Sequence, residues 1–178
     1  MLTKDEIKEI AKFNPSTLKE GLRQAEQRLN DSFKKKENIE RKAFTLLLMF
    51  LSFSTALFSV PKILKVEESL IYWATISTGL CFLVGAIFLF KSLKALNYGT
   101  LGRYPDTWLQ QGILDGDEDT KSYVLANVLF DYQKSIETSD ESNGKKIKLV
   151  DRGIKLGIVS LILFLAWYLS ISFLKLIT

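Results

Sequence analysis

The most suggestive spacing in the chain is Asp115, Asp117 and Asp119, three carboxylates at alternate positions. Carboxylates so spaced open a calcium-binding loop, which then needs glycine at its sixth position and glutamate at its twelfth. The chain has Thr120 and Ala126 there. An acidic turn that caps the following helix is the better reading, and no metal site is expected. Composition removes other chemistry. There is no histidine and one cysteine, Cys81, so a Ser-His-Asp triad, a Cys-His pair and a His/Cys zinc site all lack their residues. One cysteine cannot close an internal disulfide, and Cys81 lies in an apolar run, where a free thiol packs as a small hydrophobe. The polar groups left in apolar surroundings are hydroxyls: Ser52, Ser54, Thr55, Ser59, Thr75, Ser77 and Thr78. They either line a narrow pore or bond back to helix carbonyls. No acidic or basic residue sits in the middle of those runs, which argues against a proton relay or a voltage sensor. No cofactor is expected, and no enzymatic activity.

The elements that carry these hydroxyls are three apolar blocks. Residues 43–60 and 70–90 contain no charge, and 153–174 contain only Lys155, near the start, where it can snorkel. At 1.5 Å per residue the first block is about 27 Å long as a helix, most of a hydrocarbon core. Helices of soluble proteins rarely stay apolar on every face for this length, so all three read as spans. Pro61 and Lys62 are expected to end the first, and Lys91 closes the second. A cleaved signal peptide is not expected, because a highly charged stretch of more than forty residues comes before the first block.

Flanking charge gives the orientation. Lys34, Lys35, Lys36, Arg41 and Lys42 precede the first span; Lys91, Lys94 and Arg103 follow the second; Lys145, Lys146, Lys148 and Arg152 precede the third. The loop 61–69 has Lys62 and Lys65 offset by Glu67 and Glu68, and the tail has only Lys175. The positive-inside rule then places the N-terminus inside and the C-terminus outside. Tyr72, Trp73, Trp167 and Tyr168 lie toward the outer ends of their spans, as an aromatic belt would. The net charge of +4 belongs to this asymmetry, and no specific nucleic-acid binding is expected.

Outside the spans the pattern is helical. Thr3 and Glu6 fit a capping box for a short helix that stops near Asn14 and Pro15, and Thr17 and Glu20 fit a second. From there Leu18, Leu22, Leu29, Phe33 and Ile39 form a broken apolar stripe on one long helix that runs into the first span. The stripe packs on the middle segment or on a neighbouring chain, or its leucines are incidental on a solvated helix. The middle segment opens with turn residues Asn97, Gly99, Gly102 and Pro105. A helix over 121–138 follows, with Val124, Leu125, Val128, Leu129, Tyr132 and Ile136 on one face. Residues 139–144 read as a polar break, and Lys145 starts the last helix.

The expected fold is thus an all-α integral membrane protein with three transmembrane helices. Its order is a cytoplasmic helical N-terminal region (1–42), span 43–60, external loop 61–69, span 70–90, cytoplasmic helical segment 91–152, span 153–174 and external tail 175–178. Gly153 with Gly157, Ser52 with Ala56, Thr55 with Ser59 and Thr75 with Gly79 repeat a small-xxx-small spacing. Such pairs let helices approach closely, either within one chain or between chains.

The charged helix leading into Arg41-Lys42-Ala43, a second span close behind, Arg103-Tyr104-Pro105, a helix ending in Tyr132-Gln133-Lys134-Ser135-Ile136, and Asn143-Gly144-Lys145-Lys146 before the final span form a layout. It resembles the small transmembrane effectors of bacterial nucleotide-signalling defence against phage, such as the Pycsar membrane effectors and related SLATT-type proteins. The resemblance implies a protein of the inner membrane that is quiet until a cytoplasmic signal arrives, then oligomerises or opens and damages the bilayer. If the trigger is a cyclic nucleotide or another anionic ligand, Lys94 and Arg103 are candidates to meet phosphate, and Tyr104 or Trp108 to stack on a base. The same cations also serve headgroup contacts. The competing class is a tethered interaction protein whose cytoplasmic helices dock a soluble defence or regulatory partner without forming a pore.

Overall fold

Helix α1 of the computed structural model covers Pro15–Leu64, α2 Leu70–Leu93 and α3 Glu118–Ile177. The structure describes residues 14–64, 70–94 and 118–177, and these are almost wholly α-helical. All three helices are long and apolar enough to cross a membrane, which is compatible with a multi-pass membrane protein. The surface agrees with that reading. Phe44, Leu48 and Phe53 on α1, Leu80, Ile87 and Phe90 on α2, and Ile158, Ile162 and Leu165 on α3 are all exposed, far more bare apolar surface than water tolerates.

Local sequence explains where α1 starts. Asn14 is its N-cap: the side-chain oxygen accepts from the Ser16 N–H at 3.0 Å and the Ser16 hydroxyl at 2.9 Å. Pro15 occupies the first helical position, where its missing N–H costs nothing. The cap expected at Thr17 is therefore displaced by three residues. Glu20 instead accepts from Arg23 at 2.8 and 2.9 Å and from Gln24 at 3.1 Å. The proposed cap at Thr3 lies outside the described residues.

Three expected boundaries are corrected. The first helix does not stop at Pro61: the proline is inside α1, buried, and the helix runs on to Leu64. A proline inside a helix forfeits one backbone bond, and membrane helices tolerate this. The helix expected from 121 begins at Glu118, where acidic residues in the first turn suit the helix dipole. The polar break at 139–144 does not exist, since α3 is one helix of 60 residues through that stretch. Its serines and asparagine are not loop residues but buried contacts. Ser139, Ser142 and Asn143 are all buried, and the hydrogen bonds they satisfy outweigh their weak helix propensity.

The described residues fall into two compact units, 14–37 with 118–144, and 38–64 with 70–94 and 145–177. In the first, Leu29, Val128 and Tyr132 form a buried core, with Leu22, Ala25, Phe33, Val124 and Ile136 packed on it. Leu22, Leu29 and Phe33 of the α1 stripe therefore pack on the 118–144 part of α3 in the same chain. In the second, Phe50, Phe82, Ala86 and Leu89 are the core, joined by Leu46, Leu47, Leu57 and Val150. Of the apolar stretches, 44% of that in α2 is buried but only 17% of those in α1 and α3. Within its unit α2 is the best covered helix, and the other two keep most of their surface outward.

Candidate functional site

The second unit is built on a seam with one repeating interval. Among the buried positions of α2, Thr75, Thr78, Phe82, Gly85, Leu89 and Ser92 alternate steps of three and four residues, with Ala74, Gly79 and Ala86 buried beside them. On α3, buried Lys146, Gly153, Gly157 and Ser160 with half-buried Val150 do the same, and on α1, Ala43, Phe50, Ser54 and Pro61 fit the same register. An average step of 3.5 keeps one stripe turned inward along the whole helix, as in left-handed coiled coils.

At the centre of the seam the Phe50 ring fills the space left by two glycines. A methyl group on Gly85 would lie 2.7 Å from Phe50 Cε2, and one on Gly157 would overlap the same ring. Beside them, a methyl group on Gly153 would lie 2.9 Å from Leu89 Cγ and 3.2 Å from the Gly85 carbonyl oxygen. The backbones of α2 and α3 thus approach closely, and the aromatic ring of α1 closes the junction. Phe82 meets Phe50 edge-on, with ring centres 5.2 Å apart, and stacks on Phe53 at 5.7 Å. Bilayer hydrocarbon provides no hydrophobic drive between helices, so this contact rests on dispersion between closely fitted atoms.

Hydroxyls complete the seam. Ser54 on α1 donates to the Gly79 carbonyl of α2 at 2.9 Å in a buried bond between helices, worth roughly 0.6 kcal/mol in a membrane. Gly79 itself faces the Phe58 ring. Thr75 donates to the carbonyls of Ile71 and Tyr72 at 3.0 and 2.9 Å, and Thr78 to that of Ala74 at 2.7 Å. Thr55, Ser59 and Ser77 likewise bond within their own helices. At the charged end of the same seam Lys146, 0% exposed, pairs with Glu40. A buried ammonium is tolerated only when paired and hydrogen-bonded.

Known protein families, curated proteins and solved structures give no match to this chain.

The residues expected from sequence fall into two groups. Gly153, Gly157, Thr75 and Gly79 all lie in the seam, and their contacts are within the chain. Lys94 is exposed just beyond α2, its N–H bonded to the Lys91 carbonyl at 3.3 Å. Arg103, Tyr104, Trp108 and the acidic positions Asp115 and Asp117 lie outside the described residues. Sequence reasoning missed Phe50, Gly85 and the Glu40–Lys146 pair. The signal was the 3.5-residue interval itself, which becomes visible once small and polar residues are counted as seam positions.

Proposed function

We propose that the chain is a membrane effector that assembles with copies of itself and permeabilises the bacterial inner membrane on a cytoplasmic signal, in defence against phage. In this reading the N-terminal region and residues 91–152 face the cytoplasm and the C-terminus lies outside, as the flanking charge suggests. The observation that carries it is the uneven covering of the spans. Ser160 is buried, but Leu161, Ile162, Leu163 and every residue from Leu165 to Ser170 are exposed. The hydroxyls within the seam are bonded to backbone carbonyls, so the interior of one copy offers no water path. Conduction then requires several copies, and the open faces of α1 and α3 are available for that contact. Copies sharing one orientation in the bilayer close into a ring.

The test is inner-membrane depolarisation and dye leakage from liposomes, together with the oligomeric mass in mild detergent. The wild type should leak as an oligomer. Gly157→Leu should insert yet fail to depolarise, because its side chain displaces Phe50 and deforms the junction. Wild-type depolarisation by this variant with an unchanged oligomer would reduce α3 to an anchor. Orientation is read by thiol labelling in a Cys81→Ala background: a cysteine at exposed Lys134 should react only from the cytoplasmic side, and one placed at the C-terminal end only from outside.

The tethering reading has one observation in its favour. In the first unit, Gln24, Arg28, Gln133, Glu137 and Asp140 rim an open groove of about 750 Å³ with Leu129 and Ile136 along it. Its mixed polar and apolar lining suits a protein partner. Retained partner capture by a chain that never conducts would favour that reading.

A further inference from the structure

A second hollow lies in the other unit, where the charged part of α1 meets its apolar part. It measures about 370 Å³ and is lined by Arg41, Lys42, Thr45, Leu46, Val150 and Ile154. The order of these residues is directional. Arg41 and Lys42 are the last charges on α1 before nineteen uncharged residues, 43–61. Leu46 lies one turn further along α1, and Val150 and Ile154 lie on α3 between Lys146, which pairs with Glu40, and Gly157, which meets Phe50, so the apolar lining falls on the side of the apolar run. A hollow with cations at one end and hydrocarbon at the other matches a molecule built the same way.

The two cations are also left available. Arg41 makes one long contact, 3.5 Å from its Nη2 to Asn38 Oδ1, and among the described residues Lys42 has no ion-pair partner. Two carboxylates on these helices are committed elsewhere: Glu40 to Lys146, and Asp151 to Lys155 at 2.8 Å. Thr45 donates its proton to the Arg41 carbonyl at 3.0 Å, which leaves its oxygen as an acceptor.

We propose that this hollow is a binding site for an anionic phospholipid, with the phosphodiester on Arg41 and Lys42 and an acyl chain against Leu46, Val150 and Ile154. A planar guanidinium and an ammonium side by side suit a phosphate oxygen pair. A headgroup that carries its own ammonium would bring a third cation to the same place. A water-soluble anion would leave the apolar wall unused. The position agrees, since the change from charged to apolar residues marks the headgroup level of a span. The site requires only that α1 and α3 cross the bilayer, and it holds for the effector and the tether alike.

The experiment uses the full chain, delipidated in detergent and titrated with dioleoyl-phosphatidylglycerol or dioleoyl-phosphatidylcholine, with retained lipid counted by native mass spectrometry. Each basic group near a membrane surface contributes about 1 kcal/mol toward anionic lipid, so the pair should favour phosphatidylglycerol by about tenfold or more. Arg41→Gln with Lys42→Gln should lower its retention to the phosphatidylcholine level, and Arg41→Lys should keep most of it. Lys34→Gln with Lys35→Gln removes the same charge from exposed positions elsewhere on α1 and should leave retention unchanged. Ile154→Ser should weaken retention of either lipid. Equal retention of the two lipids by the wild type would overturn the proposal. So would equal losses in the two double variants, which would reduce the effect to net charge, or displacement by millimolar inorganic phosphate, which would make the ligand a soluble anion.

Discussion

In the unit of residues 14–37 and 118–144, α1 and α3 meet through polar side chains as well as apolar ones. Asn143 donates to both the Ser32 carbonyl and hydroxyl at 3.0 Å, Ser32 donates to Asp140 at 2.9 Å, and the Tyr132 hydroxyl donates to Glu26 at 2.9 Å. In the unit of residues 38–64, 70–94 and 145–177, the contact is a phenyl ring against glycines. The same two helices thus pair by different means along their length. Where water surrounds helices, burying Leu29 and Val128 already drives association, and buried polar groups add a register that slipping would leave unsatisfied. Where hydrocarbon surrounds them, the drive is gone, and fit between small and large residues replaces it.

The largest effect should come from spoiling that fit. Gly157→Leu forces bulk into the place of the Phe50 ring and should destabilise the second unit by about 3 kcal/mol, as overpacking does. Phe50→Ala in the same chain should recover part of the loss by making room. Unfolding titrations in mixed micelles measure both, and a Gly157→Leu chain as stable as wild type would mean the glycines are incidental. The polar seam offers the opposite test. Asn143→Leu removes the donors that serve Ser32 and should cost about 1–3 kcal/mol through the groups left unsatisfied. Ser32→Ala with Asn143→Leu should cost less than the sum of the two single changes. Strict additivity would mean that the two side chains act independently.

Smaller effects come from the charges of the first unit. Burial, and then the Glu26 carboxylate that accepts its proton, push the Tyr132 phenol above its usual value. The neutral form is the one the fold favours, so its contribution is complete below the unfolded value near 10 and is lost as pH rises through the higher folded value. Tyr132→Phe should cost about 1 kcal/mol at neutral pH and should flatten the alkaline limb of a melting-temperature profile. An unchanged limb would place the sensitivity elsewhere. The smallest effect belongs to Glu20, whose carboxyl is held down at about 2 by the bonded Arg23 and Gln24. Its contribution is present above the ordinary carboxylate range and disappears as pH falls toward 2. Because the pair is exposed to solvent, Glu20→Gln should move the neutral-pH melting temperature barely at all, and a shift of several degrees would show that the pair anchors the start of α1.

The comparison also explains what the sequence made legible. Three long apolar runs, two of them uncharged, announced the spans, and Val124, Val128, Tyr132 and Ile136 announced the buried face of the first part of α3, because large apolar residues at helical spacing carry their own signal. Of the seam of the second unit, the small-residue pairs Gly153–Gly157 and Thr75–Gly79 were visible by their spacing, but Ala43 and Gly85 escaped because they have little hydrophobicity to mark them. They matter by being small, and only the neighbouring ring reveals it. Residues 139–144 misled for the converse reason. Serine, asparagine and glycine punctuate turns in isolation, yet here Asn143 finds its partner on Ser32, 111 residues away in sequence. The capping rule was right in kind and wrong in place, since Asn14 with Pro15 competes with Thr17 for the same helix start.

The covering of α3 has a consequence for how the protein meets different membranes. Its buried positions stop near Ser160, while Trp167, Tyr168, Leu169 and Phe173 are all exposed. Among the described residues that C-terminal portion has no neighbour to fix its lean, whereas Gly153 and Gly157 pin the other end. A helix held at one end accommodates a mismatch between its apolar length and the hydrocarbon thickness by tilting, and the adjustment costs only fractions of a kcal/mol per Å. Bilayer thickness thereby becomes a variable that α3 registers, with the glycine junction as the fixed point from which the tilt is measured.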